Sequence, residues 1–121
     1  MATNINFTAL NVTGATTTQT TQDFRNEWGV GAEVYFNVSA IGTGNVTLSV
    51  QGRDSTSGAY YTVLSGAAVS SNGLTRYQIF PGGASTANVS VNDIFPYTWR
   101  IVVTANNANP VTYSVGVTIF G

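Results

Sequence analysis

Apolar and polar side chains alternate with period two along most of this chain. Val30, Ala32, Val34, Phe36, Val38 and Ala40 alternate with Gly31, Glu33, Tyr35, Asn37 and Ser39, the pattern of a strand with one buried face. Gly42-Thr43-Gly44 turns the chain, after which Val46, Leu48 and Val50 alternate with Thr47, Ser49 and Gln51. The loop Asp54-Ser55-Thr56-Ser57-Gly58 leads into Tyr60-Tyr61-Thr62-Val63-Leu64, so residues 45–64 predict a hairpin. A strand over Leu74 to Phe80 stops at Pro81-Gly82-Gly83, and Asn88 to Val91 predicts a short edge strand. Trp99, Ile101, Val103 and Ala105 then alternate with Thr98, Arg100, Val102 and Thr104. Asn106 to Pro110 turns the chain into Val111, Tyr113, Val115, Val117 and Ile119, which complete a second hairpin. No segment requires a helix. About eight strands at a spacing near 12 residues predict an all-β fold, a single antiparallel β-sandwich over residues 23–121, jelly-roll-like or immunoglobulin-like.

The first 22 residues break this pattern. Thr13 to Gln22 is polar and uncharged, with no apolar face. It reads as an extended N-terminal arm or linker, either a flexible connector or a segment that orders on a neighbouring subunit. Before it, Ile5, Phe7 and Ala9 alternate with Asn6, Thr8 and Leu10, a short strand apolar enough to add to a sheet edge.

Composition agrees with sheet. Val and Thr supply 33 of the 121 residues and Leu only 4, and β-branched side chains suit a pleated surface. A monomer of this mass is expected to expose roughly 6,200 Å² and to bury a core without staples. There is no transmembrane-length apolar run and no visible secretory signal, and the lack of Cys fits a reducing compartment. Five Asn-X-Ser/Thr sequons, at Asn6, Asn11, Asn37, Asn45 and Asn88, follow from the abundance of Ser and Thr.

Chemistry is limited by what is missing. Without His, Cys or Lys there is no thiol nucleophile, Ser-His triad, Schiff base or ordinary zinc site. The carboxylates are Asp23, Glu27, Glu33, Asp54 and Asp93. Glu27 and Glu33 form the one conceivable glycosidase pair, but a carboxylate on a polar strand face is ordinarily solvated or paired with an arginine. Asp23, Asn26 and Glu27, or the loop at Asp54, offer too few clustered oxygens for calcium. We therefore expect no enzyme, no metal and no cofactor. Four arginines against a net charge of −1 argue against nucleic acid as a partner. Arg53, Arg76 and Arg100 are expected to pair structurally at strand ends. Of the aromatic residues, Trp99 is in phase with the core. Adjacent Tyr60 and Tyr61 face opposite ways, so one of them should be outside.

Only 7% of residues are charged, against roughly 25% in soluble domains generally. A Thr, Ser, Asn and Gln surface lacks charge repulsion and desolvates at lower cost than a Lys and Glu surface. Those are properties of a component of an ordered assembly.

One resemblance gives the assembly a name. Val50 to Leu64 (VQGRDSTSGAYYTVL), Gly66 to Val69, Arg76 to Gly82, Asn92 to Arg100 and Asn109 to Gly116 resemble, in order and over roughly residues 30–120, small tailed-bacteriophage virion proteins of the capsid decoration (cement) type. The resemblance implies a non-enzymatic structural protein, made in the bacterial host cytoplasm and located on the capsid surface of the virion. Its partners would be the major capsid protein and itself, as a homotrimer, with neither nucleic acid nor membrane involved. It would bridge capsid subunits and stabilise the shell. On this expectation Ile5 and Phe7 form a strand-adding arm, and Trp28 with Tyr60 or Tyr61 anchors the interface. Two other readings are a phage tail or head–tail accessory protein, and a carbohydrate-binding β-sandwich module.

Overall fold

In the computed structural model, which describes residues 5–121, the alternating segments become ten strands. They are β1 (Ile5–Ala15), β2 (Gln19–Thr20), β3 (Phe24–Arg25), β4 (Gly31–Ala40), β5 (Val46–Arg53), β6 (Tyr60–Ser65), β7 (Gly73–Ile79), β8 (Ser90–Val91), β9 (Thr98–Ala105) and β10 (Val111–Phe120). One sheet has the order β1-β10-β4-β7-β8; the other has the order β2-β9-β5-β6, with β3 also pairing β9. Inward side chains of both sheets interdigitate: Val34, Phe36 and Val38 of β4 and Val115 and Val117 of β10 meet Leu48 and Val50 of β5 and Trp99, Ile101 and Val103 of β9. The outward positions carry the Thr, Ser, Asn and Gln of the sequence alternation.

The strand order decides between the two sandwich types. The short strands β2 and β3 both lie on β9 and act as one interrupted strand, bridged where the Thr21 N–H donates to the Ile101 carbonyl at 3.0 Å. The pairs β1·β10, β2/β3·β9, β4·β7 and β5·β6 are each antiparallel. The chain is thus one long hairpin that turns at residues 54–59, with its two-stranded ribbon wound around the core. That is the jelly-roll arrangement. β8 is the exception to antiparallel pairing: the chain loops round after Pro81 and returns alongside β7 in the same direction.

The N-terminal expectation needs correcting. Residues 5–20 do not form an arm apart from a sandwich beginning at residue 23. β1 pairs with β10 along its length, from Ile5 opposite Ile119 to Ala15 opposite Val111. The tendency of Ile5 and Phe7 to add to a sheet edge is satisfied within the chain, because β10 presents a free edge with matching apolar residues. A bulge at Ala9 brings Leu10 to the inner side with Ile5, Phe7 and Val12, where the simple alternation had it outside. The polar tract contributes as well: Thr18 and Thr21 hydroxyls accept from the Ala105 and Ile101 amides. The first four residues of the expected arm lie outside the described residues. With the N-terminal segment folded in, the accessible surface is 6227 Å², close to the value expected for a compact chain of this mass. No helix is long and apolar enough to cross a membrane among the described residues.

Candidate functional site

Where β1 ends one sheet and β3 ends the other, the flank of the sandwich is open at one end. Phe7 of β1 and Phe24 of β3 meet across this gap, ring centroids 5.4 Å apart and edge to face. Trp99, with no accessible surface, lies beneath both, at 6.0 Å from Phe7 and 4.8 Å from Phe24. Phe95 closes the cluster from the other side of Trp99, at 4.8 Å. Above these rings is a recess of about 290 Å³, its mouth formed by Ile5, Arg25 and Trp28. Such a hollow has room for a large apolar side chain, and no carboxylate lines it.

Beside the recess the protein presents apolar residues on a stiff platform. Asn26 is buried and uses its whole amide: Nδ2 donates to the Gly29 and Phe95 carbonyls at 2.8 and 3.2 Å, and Oδ1 accepts from the Gly29 N–H at 2.9 Å. Its backbone N–H donates to the Tyr97 carbonyl at 2.7 Å, and the Phe95 N–H donates to the Val30 carbonyl at 3.0 Å. Residues 26–30 and 94–97 therefore run side by side, held by short bonds. From this pair of segments project Trp28, Val30, Ile94 and Tyr97, with Ile94 65% and Trp28 41% exposed. The Trp28 ring packs over the backbone of Gly121, where a Cβ would stand 2.8 Å from the indole.

Tyr60 and Tyr61 start β6 toward the same end, three strand spacings across the sheet from β3, or roughly 14 Å. Tyr60 is on the outer face, in a polar cluster. Its Oη donates to the Asp23 carboxylate at 2.8 Å, Arg53 Nη1 donates to the same carboxylate at 2.9 Å, and the Arg100 guanidinium stacks 3.4 Å from the Tyr60 ring centroid. Arg100 Nε also donates to Gln51 Oε1 at 2.8 Å. With ring face and hydroxyl both engaged, Tyr60 is a structural member of this sheet surface. Tyr61 is on the other face, its ring over Gly52, where a Cβ would fall 2.4 Å from Cζ. It is nevertheless the more exposed of the two, because the core ends before it.

Of the five residues singled out from sequence, Ile5, Phe7 and Trp28 converge on the recess, whereas Tyr60 and Tyr61 stand apart from it. Phe24, Asn26, Ile94 and Tyr97 complete the end. In the sequence Asn26 stands out only as an oxygen beside Asp23 and Glu27. Ile94, an apolar residue between Asp93 and Phe95 just ahead of Pro96, carried a usable signal, since turn positions seldom hold a large aliphatic residue.

Three of the five carboxylates, Asp23, Glu33 and Asp54, are engaged away from the recess. Glu33 accepts from Tyr35 Oη at 2.5 Å and from Gln78 Nε2 at 3.1 Å. The Tyr35 bond, then the Gln78 bond and nearby Arg76, hold its carboxyl below the usual range against a smaller opposing effect of burial. Asp54 accepts from the Ser57 hydroxyl and the Thr56 N–H at 2.8 and 3.0 Å, and these bonds lower its pKa too. The Arg53–Asp23 contact matches the expected structural pairing. A larger hollow, about 540 Å³, is on the far flank among residues 67–75 and 87–89. It is a mixed polar and apolar trough between loops, without the convergent rings of the smaller recess.

No protein-family model and no curated protein matches this sequence. Among solved structures, the crystal structure of PirA is similar with a TM-score of 0.49 and 17% identity, covering 98% of this chain and 93% of that one. A likeness at that level carries no functional argument.

Proposed function

We propose that this chain is a non-enzymatic structural protein of a bacteriophage virion that binds the outer capsid surface and bridges capsid subunits. The observation that carries the proposal is the stiff apolar end, Trp28, Val30, Ile94 and Tyr97 beside the recess, on a chain with only 7% charged residues. An exposed cluster of this kind, rimmed by polar residues, is the feature of an interaction surface. Because residues 26–30 and 94–97 are hydrogen-bonded to each other, little order remains to be gained on binding, which favours tight association. The sequence resemblance to capsid decoration proteins points to the same role. On this proposal the protein acts as a homotrimer, and binding only the mature lattice stabilises that lattice by mass action.

The test is binding of the purified protein to expanded shells that lack it, followed by cryo-electron microscopy. Expected is density at repeated outer-shell positions, with shells that resist heating better when decorated. Trp28→Ser/Ile94→Ser should lose binding while keeping the sandwich folded. Density confined to the tail or portal would replace capsid decoration with a tail or head–tail role. No density, together with signals on a glycan array lost on removing the Trp28 or Tyr61 ring, would favour the carbohydrate-binding module.

A further inference from the structure

We infer that the free edge of β1 is a docking site for an extended strand from a partner chain, and that this strand drops a large apolar side chain into the recess. The proposal deepens the capsid-binding reading and rests on it only for the source of the strand. β1 pairs with β10 on one side and, among the described residues, with nothing on the other. It is eleven residues long, INFTALNVTGA, without charge or proline. A long edge without charge or proline offers a row of unpaired N–H and C=O groups, and although its register with β10 is broken at Ala9 and again between Val12 and Ala15, the stretch Ile5 to Thr8 beside the recess pairs regularly. The remaining edges are guarded. β2, β3 and β8 have two residues each, and β6, with six, begins in the charged Asp23–Arg53–Tyr60–Arg100 cluster.

The recess and the edge are one feature. Ile5 and Phe7 of β1 form one wall, and Phe24 and Arg25 of β3, the end of the opposite sheet, form the other. A strand added to β1 would extend its sheet across this open flank, and its inward side chains would hang over the recess. Backbone bonds would supply affinity and the recess would supply specificity. Arg25 is exposed at the mouth and makes no ion pair, since Arg53–Asp23 is the one such pair among the described residues. It would favour a carboxylate next to the apolar anchor. A second copy of this chain fits poorly: antiparallel pairing of β1 with β1 would bring Thr13, Gly14 and Ala15 over the recess, and these are too small to fill it.

The probe is a library of random twelve-residue peptides selected on the purified full chain. Binders are then synthesised and followed by amide hydrogen exchange. Selected peptides should share a large apolar residue beside Asp or Glu and should slow exchange along β1 about tenfold, leaving β6 and β8 unchanged. Two variants test the two parts. Thr8→Lys/Asn11→Lys charges the edge, and Ile5→Trp fills the recess; each should weaken the peptide at least about tenfold. All three positions are exposed, and unchanged exchange in β4 and β9 verifies folding. Peptides that protect another surface, equal binding by the variants, or a selection that yields no binder would overturn the proposal. Protection of β1 that grows with protein concentration, without peptide, would make a second copy the occupant and overturn it as stated. On capsid shells the two readings separate. Wild-type protein that ignores shells but binds peptide refutes the virion role alone, whereas variants that bind shells as wild type does refute the strand site alone.

Discussion

Replacing Phe7 by alanine asks whether β1 belongs to the cooperative fold or hangs beside it. Phe7 is half-buried against the core and contacts Phe24 and Trp99 with centroids at 5.4 and 6.0 Å. Truncating a fully buried Phe costs about 3–5 kcal/mol, so half burial scales this to roughly 2 kcal/mol. Losing an edge-to-face partner adds about 0.5–1 kcal/mol. The expected cost is therefore about 2.5 kcal/mol, equivalent to a fall in midpoint of roughly 10 °C for a chain of this length. Guanidinium unfolding followed by tryptophan fluorescence suits the measurement, because buried Trp99 reports on the same cluster. The midpoint should fall with the slope unchanged, which keeps the loss within a two-state transition. Ile5→Ala, at the 43%-exposed start of the strand, is the control and should cost less than about 1 kcal/mol. A cost under about 0.5 kcal/mol for Phe7→Ala would refute the reasoning, since a strand that is part of the core cannot lose its main ring so cheaply.

The other predictions concern the platform, two glycines and pH. Asn26→Ala leaves the Gly29 and Phe95 carbonyls and the Gly29 N–H without their partner; it should cost about 2–4 kcal/mol by chemical denaturation and weaken partner binding through Trp28. At Gly31 a Cβ would stand 2.7 Å from the Ile79 carbonyl oxygen, whereas at Gly116 the nearest atom is 3.8 Å away. Gly31→Ala should thus destabilise by about 2 kcal/mol and Gly116→Ala stabilise by about 0.5 kcal/mol, read as melting shifts of opposite sign. Glu33 has its pKa lowered by folding, so its contribution is present above the unfolded carboxylate pKa and is lost as pH falls through the folded one. Glu33→Gln should flatten that acid limb. Burial raises Tyr77 and pushes Tyr113 up to about 12, so native phenols keep protons that the unfolded chain releases. Stability should then fall as pH rises past about 10, after a plateau between about pH 5 and 9.

Much of the architecture was legible from local pattern. Every inward residue of β4, β5, β9 and β10 follows period two, and Trp99 sits in the core as its phase required. Which strands become neighbours is a long-range matter. The choice of jelly roll depends on β10 lying between β1 and β4, a relation that no local window contains. The N-terminal segment was misread because a bulge at Ala9 breaks its alternation and Thr18 and Thr21 work through hydroxyl bonds to distant amides, which hydropathy does not register. At the candidate site, Ile5, Phe7 and Trp28 were found by their apolar character. Asn26 was not, since its role depends on a carbonyl 69 positions away. Of Tyr60 and Tyr61, either of which the sequence offers as an anchor, Tyr60 has its ring face covered by Arg100, a contact 40 positions away that no local window contains.

The position of β10 governs when this protein can fold. Sheet β1-β10-β4-β7-β8 closes around a strand synthesised after all its other members, with Ile119 pairing both Ile5 and Ala32. At about 5–20 residues per second, β10 is complete roughly 4–16 s after β4 has been made. Throughout that interval β1 and β4 have no partner between them, and their apolar faces must be kept from other chains. Final closure waits until β10 has left the ribosome. A polypeptide truncated just before Val111 would lose the strand between β1 and β4 and with it the fold.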